Sequence, residues 1–217
     1  MKYITIIALF AISVSCAQNN KQAKNTEFQN LEPKQVPAPD DYEAAVFASG
    51  CFWCVEAIYE NVVGVKESIS GYSGGHTDNP TYEESNTGET GHAEAVKIIY
   101  NPEKVDYKTL LDVYFASQNV TQQNGQGPDR GSQYRSIIFY ENDKQKQIIE
   151  NKIKSIQPDY ERPVAAEVKP FDQFWIAEDY HQDYKKKHPD NGYIKAVSNP
   201  RYNRFAKKMP EVLKSNQ

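Results

Sequence analysis

Cysteine and histidine are scarce in this chain. Its 217 residues hold three cysteines (Cys16, Cys51, Cys54) and four histidines (His76, His92, His181, His188). A structural zinc site usually takes four such ligands, and no second cysteine pair follows Cys51 and Cys54 to complete one. No Gly-Lys-Ser or Gly-Lys-Thr occurs, which removes the phosphate-binding loop of that type. Positive charge is not in excess. The formal net charge is -4, and nothing points to nucleic-acid binding. Internal repeats are absent, and the apolar run Ile4 to Ile12 is too short to cross a membrane.

What remains is an ordinary globular composition, with 39% hydrophobic and 25% charged residues. The length allows one good-sized domain or two small ones. Fifteen tyrosines suit a polar, partly buried site, although most of them serve packing.

The first 15 residues read as a secretion signal: Lys2, then the apolar run, then Ser13-Val14-Ser15 before Cys16. Small residues before a cysteine resemble a bacterial lipoprotein processing site. Cys16 would then be the lipidated first residue, holding the protein to the cell envelope on the periplasmic side. Simple secretion with cleavage nearby is the alternative. Residues 16–42 are polar, with Pro33, Pro37 and Pro39, and read as a flexible tether. The folded, catalytic domain is expected over 43–217.

Ser49-Gly50-Cys51-Phe52-Trp53-Cys54-Val55-Glu56 is the densest stretch. The apolar run Ala44 to Ala48 leads in, and a helix-compatible run leads out. Cys51 is therefore placed where a buried strand meets a helix N-terminus, where unpaired N–H groups favour an anion and a thiol should lose its proton more easily. A Cys-x-x-Cys pair can also be half a zinc site, a structural disulfide or a thioredoxin-type motif. Phe52 and Trp53 look more like a pocket wall than a redox turn.

Further along, Val65 to Tyr72 reads as a strand, Gly71 to Gly91 as a long loop, and His92 to Tyr100 as the clearest strand. Its alternation puts Glu94, Val96, Ile98 and Tyr100 on one face. Glu94 either points to water at the strand mouth or is buried, in which case it holds a proton near neutral pH and can act as an acid. Asp106 caps a helix over Tyr107 to Ser117. A polar loop over Gln118 to Ser132, a strand from Tyr134 to Tyr140, an amphipathic helix from Asp143 to Ile156 and a strand from Val164 to Val168 follow. A last helix is expected over Phe174 to Lys187, carrying His181, which on such a helix is more often structural than catalytic. Alternating strands and helices imply an α/β or α+β sandwich with a mixed sheet covered by helices.

Five ordered segments then resemble one family. They are Gly50 to Glu56, Asn79 to Glu84, Thr90 to Val96, Asp129 to Ser136 and Ala177 to Gln182. Together they are similar to the A-type peptide-methionine sulfoxide reductases over roughly Glu43 to Lys208. The resemblance implies a ferredoxin-like α/β sandwich and reduction of the S epimer of methionine sulfoxide, free or in proteins. It implies Cys51 as nucleophile, Glu94 as acid, Tyr82 and Tyr134 on the sulfoxide oxygen, Phe52 and Trp53 around the methyl group, and Asp129 and His181 near the pocket. It implies no bound cofactor and no metal, with thioredoxin or another thiol as the reductant. A monomer is expected. Many family members carry resolving cysteines in the C-terminal tail, but Tyr193 to Gln217 has none. Cys54 is then the internal candidate, and an external thiol acting directly on Cys51 is the other route. A thioredoxin-like disulfide oxidoreductase is the competing function.

Overall fold

The computed structural model describes residues 38–215. The leader, Cys16 and most of the tether lie outside the described residues. Strand β1 (Glu43–Ser49) is followed by α1 (Phe52–Glu60), β2 (Val65–Ser73), α2 (Tyr82–Asn86), β3 (Ala93–Tyr100) and α3 (Tyr107–Ala116). Next come β4 (Gly125–Gln126), β5 (Asp129–Arg130), β6 (Ser136–Tyr140), α4 (Asp143–Ile156), β7 (Glu167–Pro170), β8 (Phe174–Ile176), α5 (Tyr184–Lys187) and α6 (Asn199–Lys208).

Six strands form one sheet in the order β7-β6-β1-β3-β2-β8. All neighbours are antiparallel except β6 and β7. Within it, β1, α1, β2, β3, α3 and β6 make a βαββαβ unit whose four strands lie in ferredoxin-like order, as expected. Strand alternation assigns the two faces. Phe47, Val96, Ile98 and Tyr100 pack with Ile58 of α1 and Leu110, Leu111 and Tyr114 of α3, all wholly buried. Val46, Ala48, Ala93, Ala95 and Ile99 form the core of the other face. Asp106 caps α3 as read from the sequence, its Oδ1 accepting from the Thr109 amide at 2.7 Å.

Three expectations are corrected. The Gly71–Gly91 loop contains a helix, α2, closed by a capping box in which Thr81 and Glu84 satisfy each other's backbone amides. The expected helix over Phe174 to Lys187 is instead the edge strand β8, a tight turn at Asp179–His181, left-handed Asp183 (φ 55°) and the short α5. Pairing with β2 decides the first part. The Gln182 side chain decides the turn, bonding both Ser70 N and Ser70 O at 3.0 Å. Tyr134 belongs to a tight turn before β6 rather than to the strand itself.

Candidate active site

Strand β1 ends at Ser49, and Gly50 turns the chain with φ 76°. A Cβ there would lie 2.4 Å from Gln126 Cβ, so both the conformation and the space require glycine. Cys51 takes the N-cap position of α1, where its carbonyl accepts from Cys54 N at 3.1 Å. No side chain caps the helix from Cys51. The Phe52 amide, one of the helix's orphan donors, bonds Glu94 Oε2 at 2.9 Å instead.

Glu94 is buried, 2% exposed. Burial pushes its carboxyl up to about 8, and nearby Asp129 adds to this, while the Phe52 amide pulls the other way. It therefore carries a proton at neutral pH. The buried reading of Glu94 is the one the fold adopts.

The cysteines correct an expectation. Both are free and buried. Burial, then Cys54 and Glu94, raise the Cys51 thiol well above its ordinary value, with Tyr193 pulling the other way. Cys54 is the acidic partner, lowered to about 6 by its hydrogen bond with Cys51 and further by Arg201, Ser198 and Tyr193, against burial. The pair titrates as a unit: the first proton leaves easily and the second with difficulty.

Around them stands an aromatic wall. Phe52 stacks on Tyr82 with ring centres 6.4 Å apart and lies 4.9 Å from His181. Trp53 lies flat on Tyr184 at 3.7 Å. Its Nε1 donates to His181 Nδ1 at 3.0 Å. His181 must then carry its proton on Nε2, and burial lowers it to about 4, so it is neutral. Glu178 braces the wall, accepting from Tyr72 Oη and the Tyr82 amide, each at 2.9 Å. Tyr134 Oη donates to Asn86 Oδ1 at 3.5 Å. Burial, aided by Glu94, raises both Tyr82 and Tyr134, so both keep their protons. Asp129 accepts from Tyr193 Oη at 2.6 Å, and that oxygen is 3.9 Å from Cys54 Sγ.

Every site residue expected in the domain thus converges on the turn after β1. Glu178, Asn86, Tyr184, Tyr193 and Arg201 were missed. Glu178 lies inside a segment already singled out, and Tyr193 belongs to an abundant residue type. Nothing in the basic tail marked Arg201. Among the described residues no three His, Cys, Asp or Glu side chains are grouped to hold a metal.

A protonated buried carboxyl beside a pair of thiols sharing a proton, enclosed by aromatic rings, is the equipment of a thiol-dependent oxidoreductase on a ferredoxin-like sheet. The profile of the family described as peptide methionine sulfoxide reductase matches residues 43–213. The chain belongs to that family, whose reaction is the thiol-dependent reduction of methionine sulfoxide. It is 46% identical to the peptide methionine sulfoxide reductase MsrA of Pasteurella multocida over 172 residues, 79% of this chain and 99% of that one. It is 43% identical to MsrA of Saccharolobus solfataricus over 175 residues, 81% and 99%. Among solved structures, reduced Mxr1 from Saccharomyces cerevisiae superposes with a TM-score of 0.67 at 29% identity, covering 75% of this chain and 94% of that one. Methionine sulfoxide reductase A of Corynebacterium diphtheriae gives 0.65 at 30% identity, covering 70% and 78%.

Proposed function

We propose that Cys51 attacks the sulfur of methionine S-sulfoxide, free or in oxidised proteins, while Glu94 protonates the departing oxygen. The observation that carries this reading is the bond from the Phe52 amide to Glu94, which fixes a proton-bearing acid beside the nucleophile's helix. Cys54, the more acidic of the two sulfurs, takes the proton of Cys51, so the thiolate arises where it is needed. Tyr82 and Tyr134 donate to the sulfoxide oxygen. Phe52 and Trp53 take the methyl group and select the epimer, with His181 orienting Trp53 and Asp129 orienting Tyr193. The oxygen moves from substrate sulfur to Cys51 sulfur, giving methionine and a sulfenic acid. Cys54 then attacks Cys51, releasing water, and thioredoxin or a similar thiol reduces the disulfide. Disulfide exchange alone would leave Glu94, Tyr82 and Tyr134 without a task.

The first experiment is turnover of the two sulfoxide epimers with dithiothreitol, using wild type, Cys51→Ser and Cys54→Ser. Reduction of the S epimer only, lost in Cys51→Ser, is expected. Cys54→Ser should keep reduction of the S epimer at a reduced rate and lose thioredoxin-dependent turnover. Reduction of neither epimer would overturn the reading. The leader and Cys16 support an envelope lipoprotein. Intact mass of the membrane fraction tests this, and an unmodified soluble form as the sole species would sink it.

A further inference from the structure

The tail holds no cysteine, yet it runs to the cysteine pair. A wide helical turn at Ile194–Ser198 continues into α6. Ser198, Arg201 and Phe205 form one stripe, and all three are buried. Arg201 is a buried cation whose hydrogen bonds go to neutral groups. Nε donates to Ser117 O at 2.8 Å, Nη1 to Ser49 O at 2.9 Å and Nη2 to Ser49 Oγ at 2.8 Å. A buried charge is costly unless an opposite charge faces it. Arg201, Cys54 and Asp129 line one cavity of about 250 Å3. Among the described residues the buried Ser198 hydroxyl has no hydrogen-bond partner.

Resting on Cys54 as the resolving thiol, we propose that Arg201 and Ser198 are positioning residues that hold Cys54 as an anion. The tail thus supplies charge to the resolving sulfur where it carries no sulfur of its own. The other groups acting on Cys54 are the Cys51 thiol and Tyr193, which favour the thiolate, with Glu94, Asp129 and Lys185 in the surrounding field. During resolution the Cys54 thiolate forms the S–S bond to Cys51, and the Cys51 S–O bond breaks. Glu94, left ionised by the first step, takes from Cys54 the proton that came from Cys51 and hands it to the released hydroxide, which leaves as water. During reduction an external thiolate attacks Cys51 sulfur and Cys54 leaves as the thiolate. A more acidic leaving thiol departs faster.

The test is the pH dependence of Cys54 alkylation by iodoacetamide in the full chain carrying Cys51→Ser. Adding Arg201→Met should raise the midpoint by about one unit, which is tenfold less thiolate below it. Ser198→Ala should raise it by less, and Arg201→Lys should restore it. With Cys51 present, disulfide formation should slow relative to the methionine-forming burst in Arg201→Met and recover in Arg201→Lys. If Arg201→Met does not fold, Arg201→Gln and Ser198→Ala read the same midpoint. An unmoved midpoint in the folded Arg201 variant and in Ser198→Ala overturns the proposal. Cys54→Ser turning over with thioredoxin at the wild-type rate would instead sink the resolving role, and it is told apart because the alkylation midpoint is read separately, in the Cys51→Ser chain that keeps Cys54.

Discussion

The amide of Phe52 donates to the carboxyl of Glu94 over 2.9 Å, joining the first residue of α1 to the second residue of β3. One bond therefore sets the distance between the nucleophile's helix and the acid's strand. Because the donor is main chain, only proline among substitutions at position 52 removes it. The acid is changed only at position 94 or by shifting the strand.

Activity should depend on a proton held by Glu94. With its carboxyl pushed up to about 8, kcat/KM is expected to fall above that pH. Glu94→Gln keeps the shape without the acidic proton and should lower kcat by roughly 10²–10⁴-fold. The pH profiles of both proteins check this, and an unchanged alkaline limb in the variant would remove Glu94 as its source.

Two buried carboxyls should each cost stability as pH rises. Glu56 and Glu94 are both raised by burial to about 8. Between 4.5 and about 8 the folded chain keeps protons that the unfolded chain releases, so the stabilising contribution present at low pH is lost as pH climbs through that window. Each group contributes a slope of at most about 1.4 kcal/mol per pH unit. Calorimetric Tm from pH 5 to 9 should show Glu56→Gln gaining on wild type as pH climbs, since the opposing slopes of His181 and Cys54 are common to both.

On the proposed mechanism the two tyrosine hydroxyls act in the transition state rather than in binding. Tyr82→Phe or Tyr134→Phe should each cost about 10²-fold in kcat with KM little changed. The double variant should lose less than the product of the two, since groups acting as a unit are not additive. Steady-state kinetics on all three variants decide it.

Trp53 couples wall to brace. Trp53→Phe removes the Nε1 donor to His181 and weakens the stack on Tyr184. A buried acceptor left unpaired costs about 1–3 kcal/mol. KM for the S-sulfoxide should rise about tenfold, as 1.4 kcal/mol of lost binding implies. Isothermal titration with the product methionine should show the same loss.

The legible parts of this chain were those governed by local rules. The alternation of β3 put Glu94 on the face of Val96 and Ile98, and Asp106 marked the start of α3. The turn at Gly50 followed from a strand pattern meeting a helix pattern. Errors came where distant contacts overrode local pattern. Phe174 to Ile176 became a strand because β2 offered an open edge, and Asp183 turned left-handed where Glu56 Oε1 accepts its amide at 3.0 Å. The Thr81–Glu84 capping box was a local signal and could have been read. Arg201 could not. Its role exists only once residues 152 positions apart meet, and a basic residue in a polar tail gives no hint of that.

That separation orders how the protein comes into being. Ser49 and Arg201 are among the earliest and latest parts of the domain to emerge from a ribosome. The two sulfurs are complete long before the guanidinium that braces their turn exists. A nascent chain therefore carries Cys51 and Cys54 without their finished surroundings, which are complete only when the last helix docks. Maturation of this enzyme is a C-terminal event, although its reactive residues are N-terminal.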